Sequence, residues 1–279
     1  MMLKKMIIKS GILLLCWQIT AWAAVDTVKI FSPSMNKVKK AIVVVPVWSV
    51  SDSSLYPAVF LLHGYSGSYR DWPQKVNLQS LADAYHLILV CPDGGYNSWY
   101  LDSPLDSSSQ YETHIIQEVL PFIAKRYPLD TGRRAITGLS MGGHGALYLA
   151  ARHPRLFVAA ASMSGAVDLT WSTRRWEIAE KLGSYASCAR RWRKNSVINM
   201  TEALKNANLF LLLDCGVDDI FIDINRELHK KMLVEKIDHE YSERPGGHSW
   251  NYWKNALEYH LLFFKKSFIL LSQNKNIRQ

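Results

Sequence analysis

After residue 40 the apolar positions alternate between short continuous runs and longer stretches with helical spacing. Residues 41–50 are rich in β-branched side chains. Residues 58–62 form a short apolar run that ends in His63-Gly64, and residues 87–91 form another that ends in Pro92-Asp93-Gly94-Gly95. Runs of this length, closed by turn residues, predict buried strands followed by loops. Residues 111–127 place Ile115, Ile116, Val119, Leu120 and Ile123 at helical spacing, with Pro121 expected to kink the helix. Further strands are expected over 134–138, 157–163 and 209–214, and helices over 141–152, 224–236 and 251–265. The pattern loosens between Gly165 and Ala207, so about 166–207, with Trp171, Trp176 and Trp192, is expected to be a small cap-like insertion over the sheet. Alternation of strand and helix predicts an α/β fold, with a mostly parallel central sheet flanked by helices in one domain over residues 24–279.

Composition fits that picture. The chain has 279 residues, 48% of them hydrophobic and 20% charged, which is enough for a sizeable core and excludes a disordered chain. Residues 1–23 read as a secretory signal. Lys4, Lys5 and Lys9 form a positive front, an apolar stretch begins at Ile12, and Ala21-Trp22-Ala23 gives a small-x-small site with cleavage before Ala24. A lipid anchor on Cys16 is the less favoured alternative, because Leu15 is larger than the residue such a site prefers. The expected location is periplasmic or secreted, with no stable membrane insertion after the signal is removed. Its removal takes three lysines and no acid, lowering the net charge from +9 to +6. Cys91, Cys188 and Cys215 remain, too few for a disulfide scaffold. Arg174 and Arg175 stand together, as do Arg190, Arg191, Arg193 and Lys194. A solvated face accounts for them better than an acidic-ligand site, and no nucleic-acid motif accompanies them.

The motif that carries chemistry is Gly138-Leu139-Ser140-Met141-Gly142-Gly143, a G-x-S-x-G between an expected strand and an expected helix. A serine on a sharp strand-to-helix turn takes strained backbone angles, and flanking glycines let neighbouring chain pass close. The hydroxyl then stands clear of the sheet, and the amide of Met141 lies where it can stabilise an oxyanion. This is the nucleophile turn of the α/β-hydrolase fold, in which the chain order is serine, acid, histidine. His248 suits the base: it follows Pro245-Gly246-Gly247 and precedes the last helix. The acid should lie beyond the strand over 209–214, where Asp214, Asp218 and Asp219 compete and position alone does not choose.

His63-Gly64-Tyr65-Ser66-Gly67, the Ser140 motif, Cys215-Gly216-Val217-Asp218-Asp219 and Gly246-Gly247-His248-Ser249-Trp250 together resemble the esterase D family. That family includes tributyrin and feruloyl esterases, S-formylglutathione hydrolases and mycolyltransferases of the antigen 85 type. The likeness spans about residues 40–268, and Asn97-Ser98-Trp99-Tyr100 with Tyr111-Glu112-Thr113 resembles its bacterial esterase branch. The resemblance implies a serine carboxylesterase in which Asp219 is the acid and the amide of Tyr65 is the second oxyanion donor. It covers 166–207 least well.

No cofactor is implied. The nine histidines are scattered without H-E-x-x-H, so no metal site is expected, and no phosphate-loop or dinucleotide-binding motif is present. The expected partner is a small-molecule or carbohydrate ester, acetyl or hydroxycinnamoyl. Export argues against cytosolic glutathione thioesters. His63, Trp99, Trp171 and Trp176 are candidates for contact with substrate, with Trp192 a further aromatic in the same region. Two other functions fit the same residues less directly: an acyltransferase with a sugar acceptor, and a non-catalytic carbohydrate-binding protein. Asn199-Met200-Thr201 is a glycosylation sequon in a host that glycosylates.

Overall fold

The computed structural model describes residues 25–47 and 54–277. The expected signal segment and its cleavage site lie outside them. Eight strands form one sheet in the order β1-β2-β4-β3-β5-β6-β7-β8. They are β1 (Val25–Ser32), β2 (Lys37–Val44), β3 (Tyr56–Leu62), β4 (Ile88–Pro92), β5 (Leu129–Gly138), β6 (Ala159–Met163), β7 (Phe210–Gly216) and β8 (Glu240–Arg244). The pairs β1–β2 and β2–β4 are antiparallel, and every pairing from β4 across to β8 is parallel. Parallel strands cannot be joined by hairpins, so each needs a crossover, and the helices fall on the two faces.

Strand periodicity decides which face each side chain serves. Phe60, Leu62, Ile88, Val90 and Ile136 pack on one side with α5 (Met141–Arg152) and α9 (Ile222–Val234). Val59, Leu61, Leu89, Cys91 and Ala135 pack on the other with α1 (Asp71–Lys75), α2 (Leu78–Tyr85) and α10 (Trp250–Ile277). Burial of each large apolar side chain in these rows contributes roughly 1.5–3 kcal/mol. With both faces covered, β3 and β4 read as unbroken apolar runs, the pattern that made them legible.

The segment expected as one kinked helix over 111–127 is α3 (Tyr111–Thr113), a π-helical turn (His114–Val119) and α4 (Leu120–Arg126). Pro121 has no N–H to give to the turn before it, and the looser π turn lies immediately upstream. Between β6 and β7 the chain forms α6 (Ile178–Leu182), α7 (Tyr185–Asn195) and α8 (Thr201–Asn206), with 3-10 turns at Leu169–Ser172 and Val197–Asn199. Trp192, on α7, is fully buried and its indole N–H donates to Gly183 O at 2.8 Å. It is a core residue and does not line a cleft.

His144, on α5, is fully buried and donates through Nε2 to Asn195 O at 2.8 Å. Burial pushes its imidazole down from the ordinary 6.5 to about 4. A group whose folded-state pKa is depressed lends its full stability above its unfolded value. The contribution is therefore complete above about pH 6.5 and is lost as pH falls toward about 4, on the order of 3 kcal/mol in all. Denaturant unfolding of the wild type and of His144→Gln at neutral and acid pH checks this: the variant is expected to lose less stability on acidification. Parallel acid losses in both would contradict it.

Candidate active site

The parallel strands all point their carboxyl ends to one edge of the sheet, where ligands of such folds bind. Ser140 sits there, on the turn between β5 and α5, with φ 56° and ψ −118°. A non-glycine residue in this region costs about 1–3 kcal/mol and is held only by strong surroundings. Those surroundings are visible: Ser140 N–H donates to Met163 O at 2.9 Å, and Gly142 N–H closes the turn on Leu139 O at 2.7 Å. A β-carbon on Gly142 would stand 2.6 Å from both His63 O and Leu62 O. Those are backbone atoms of β3 and its exit, so neither can swing aside. Gly142→Ala is expected to destabilise the fold by about 1–3 kcal/mol, the usual cost of overpacking. Urea unfolding measures it, and an unchanged midpoint would contradict the close approach.

His248 lies in the loop between β8 and α10, and its Nε2 is 3.0 Å from Ser140 Oγ. Its Nδ1 is 3.0 and 2.9 Å from the two carboxylate oxygens of Asp219, whose side chain is wholly buried. A carboxylate only accepts, so Nδ1 carries the hydrogen and Nε2 is left to accept the serine proton. Asp219 also accepts the N–H of Phe221 at 2.9 Å. The other two acids go elsewhere. Asp218 is exposed. Asp214 is buried and takes the hydroxyl of Tyr252 at 2.5 Å and the guanidinium of Arg244.

The loops after β7 and β8 are laced together: Val217 N–H donates to Arg244 O at 2.9 Å, and Asp218 N–H to Gly246 O at 3.0 Å. Added to the Arg244–Asp214 pair, these bonds hold the loop of Asp219 against the loop of His248. The imidazole is walled by Phe221 and Trp253, both edge-on, at 5.1 and 4.9 Å between ring centres. Trp253 is fixed in turn by an indole bond to Ser164 Oγ at 3.2 Å. Phe221, Trp253 and Arg244 were not singled out from sequence, and no local motif marks them.

Among the described residues neither the amide of Met141 nor that of Tyr65 has an intramolecular acceptor. The Tyr65 turn is set by His63. Its Nδ1–H donates to Gly64 O, and its Nε2 accepts the N–H of Gly94, both at 2.8 Å. His63 is 1% exposed, and burial lowers its pKa, so the ring is a neutral brace between two loops. Trp99 is equally buried, with its indole N–H on Trp176 O at 3.2 Å. These two expected contact residues therefore lie beneath the surface and support it. Trp171 and Trp176 do stand together at the site: the rings stack 6.0 Å apart, each packs against Phe221, and Trp171 is 42% exposed.

The sheet order, the crossovers and the serine at a strand-to-helix turn are those of an α/β-hydrolase. The chain belongs to the family described as "Putative esterase", whose model matches residues 32–264. It is accordingly a hydrolase acting on ester bonds. An acetyl esterase of Caldicellulosiruptor saccharolyticus is 27% identical over 232 residues, 75% of this chain and 84% of that protein. A solved ferulic acid esterase superposes with a TM-score of 0.74 at 29% identity, covering 88% of this chain and 98% of the other. A fluorophosphonate-binding serine hydrolase of Staphylococcus aureus gives 0.75 at 20% identity, covering 87% and 98%, a likeness of fold. Among the described residues no helix is long and apolar enough to cross a membrane.

Proposed function

We propose that the chain is an exported serine carboxylesterase that cleaves acyl esters through an acyl-enzyme on Ser140. The observation that carries this is the unbroken line of hydrogen bonds from Ser140 Oγ through His248 to the buried Asp219. Ser140 attacks the ester carbonyl while His248 Nε2 takes its proton, and Asp219 holds the ring and stabilises its cation. The amides of Met141 and Tyr65 receive the charge that develops on the carbonyl oxygen. The proton on His248 then goes to the leaving alcohol. Water then attacks the acyl carbonyl while the same nitrogen takes its proton, and breaking of the bond to Ser140 Oγ returns that proton to the serine and releases the acid. No metal is needed for any of these steps.

The substrate is an acetyl or hydroxycinnamoyl ester on carbohydrate. The named activities of the acetyl esterase and the ferulic acid esterase support that class, as does the half-open Trp171–Trp176 stack, since aromatic faces suit both sugars and cinnamoyl rings. The charged front and apolar stretch of residues 1–23 support export. Purified protein assayed on acetylated xylan and on feruloylated arabinoxylan tests the reading. Acid is expected from one or both, in equal amount to the freed hydroxyl. Release of neither, with small acyl esters also untouched, would overturn it. Acyl groups appearing on an added sugar acceptor instead of free acid would make the protein a transferase.

A further inference from the structure

The basic run on α7 finds no place in the proposed ester chemistry. On a helix, residues three and four apart share a face. Past a kink at Cys188, Arg190, Arg191 and Lys194 have that spacing, and together with Ser187 they line an open concavity of about 760 Å³. Arg193, off that face, is exposed and does not line it. The opposite wall comes from α3, the π turn and the carboxyl-terminal part of α5, including Glu112, Gln117 and Arg152. None of Ser140, Asp219 and His248 lines this space.

Its acids are already engaged. Glu112 accepts Arg152 Nε and His153 Nε2, both at 2.7 Å, and the hydroxyl of Tyr148 at 2.9 Å. Asp102 accepts both the N–H and the hydroxyl of Thr113, at 3.0 and 2.6 Å. Among the described residues Arg190, Arg191 and Lys194 form no ion pair. Arg191 gives one N–H to Leu182 O at 2.8 Å. Three like charges within one helical turn repel one another, and the concavity gathers them around one space. Arg190 and Lys194 stand about 6 Å apart along the helix axis, so two charged groups of one ligand can each meet a side chain. The amide of Gln117 and the hydroxyl of Ser187 border the same space and suit sugar hydroxyls.

We propose that this concavity binds a small polyanionic saccharide, through carboxylate or phosphate groups held by Arg190, Arg191 and Lys194. The two sources share one chemistry, an oxyanion received by charged forks, and titration separates them. Purified full chain is titrated calorimetrically with trigalacturonate, with fructose bisphosphate and with uncharged maltotriose. Binding of the first assigns carboxylate, and binding of the second assigns phosphate. Maltotriose is expected not to bind there. Because Arg190 and Lys194 are exposed, the double variant Arg190→Gln, Lys194→Gln is expected to fold normally. It should bind the anion about tenfold or more weakly, since charge-assisted contacts are the strong ones. Affinity in the wild type should fall as salt is raised. Ser140→Ala should bind as the wild type does. Failure of both anions to bind, unchanged affinity in the double variant, or loss of binding in Ser140→Ala would overturn the proposal.

Discussion

Ser140→Ala is expected to lower kcat on any cleavable acyl ester by about 10⁴-fold or more, leaving only substrate binding and the oxyanion amides to act. The change removes one oxygen that accepts no backbone bond in the turn. The bonds that hold the turn run from Ser140 N–H to Met163 O and from Gly142 N–H to Leu139 O, and both survive. Thermal unfolding should therefore be close to that of the wild type while turnover collapses. Steady-state kinetics beside a melting curve separates the two effects. Near-normal hydrolysis by a folded Ser140→Ala would remove the serine from the mechanism.

Asp219→Asn is the second large effect, expected at about 10⁴-fold in kcat with the fold retained. The carboxylate accepts the Nδ1 hydrogen and so leaves Nε2 free to take the serine proton. An amide in its place presents N–H to Nδ1 and favours the other tautomer, in which Nε2 already carries hydrogen. Asp218→Asn, at an exposed neighbour, is expected to stay close to wild-type kinetics. Assay of the pair under one set of conditions is decisive, because the two residues are adjacent and chemically identical. Small and equal losses would move the orienting role away from Asp219.

Sequence pattern revealed the buried strands and missed the edges for a single reason. β3 and β4 are covered on both faces and announce themselves as apolar runs. β8 (Glu240–Arg244) has no fully buried residue and reads as polar chain. It is a strand because β7 offers it a parallel ladder, and because Tyr241 stacks on His229 and Glu243 takes the Arg226 guanidinium. β1 (Val25–Ser32), at the opposite edge, buries Val28, Ile30 and Ser32 but turns Phe31 outward, so its apolar residues do not alternate, and among the described residues it pairs with β2 alone. The long β5 begins at Leu129 rather than 134, since Asp130, Gly132 and Arg133 hide its first half.

The candidate site was legible where it depends on local backbone. A serine between glycines, at a strand-to-helix junction, is a short-range requirement, and the helix expected over 141–152 is α5 to the residue. The proposed acid was not legible from position, because Asp214, Asp218 and Asp219 all lie within or just past the end of one strand. What separates them is burial and partner: Asp214 meets Arg244 and Tyr252, Asp218 meets solvent, and Asp219 meets His248. The aromatic walls of His248 come from two distant helix starts, Phe221 and Trp253, and no spacing in the chain foretells their meeting. Composition also drew attention to tryptophans without regard to depth, so Trp99 and Trp192 entered with Trp171 although the sheet's covering layer encloses them.

The most direct test of the central claim is covalent. Purified protein is treated with a fluorophosphonate, residual esterase activity is followed, and the adduct is located by peptide mass spectrometry. One adduct per chain is expected, on Ser140, formed in step with the loss of activity and absent from His248→Ala, where the serine has no base. An adduct on another residue that tracks the loss of activity, or full inactivation with Ser140 unmodified, would contradict it.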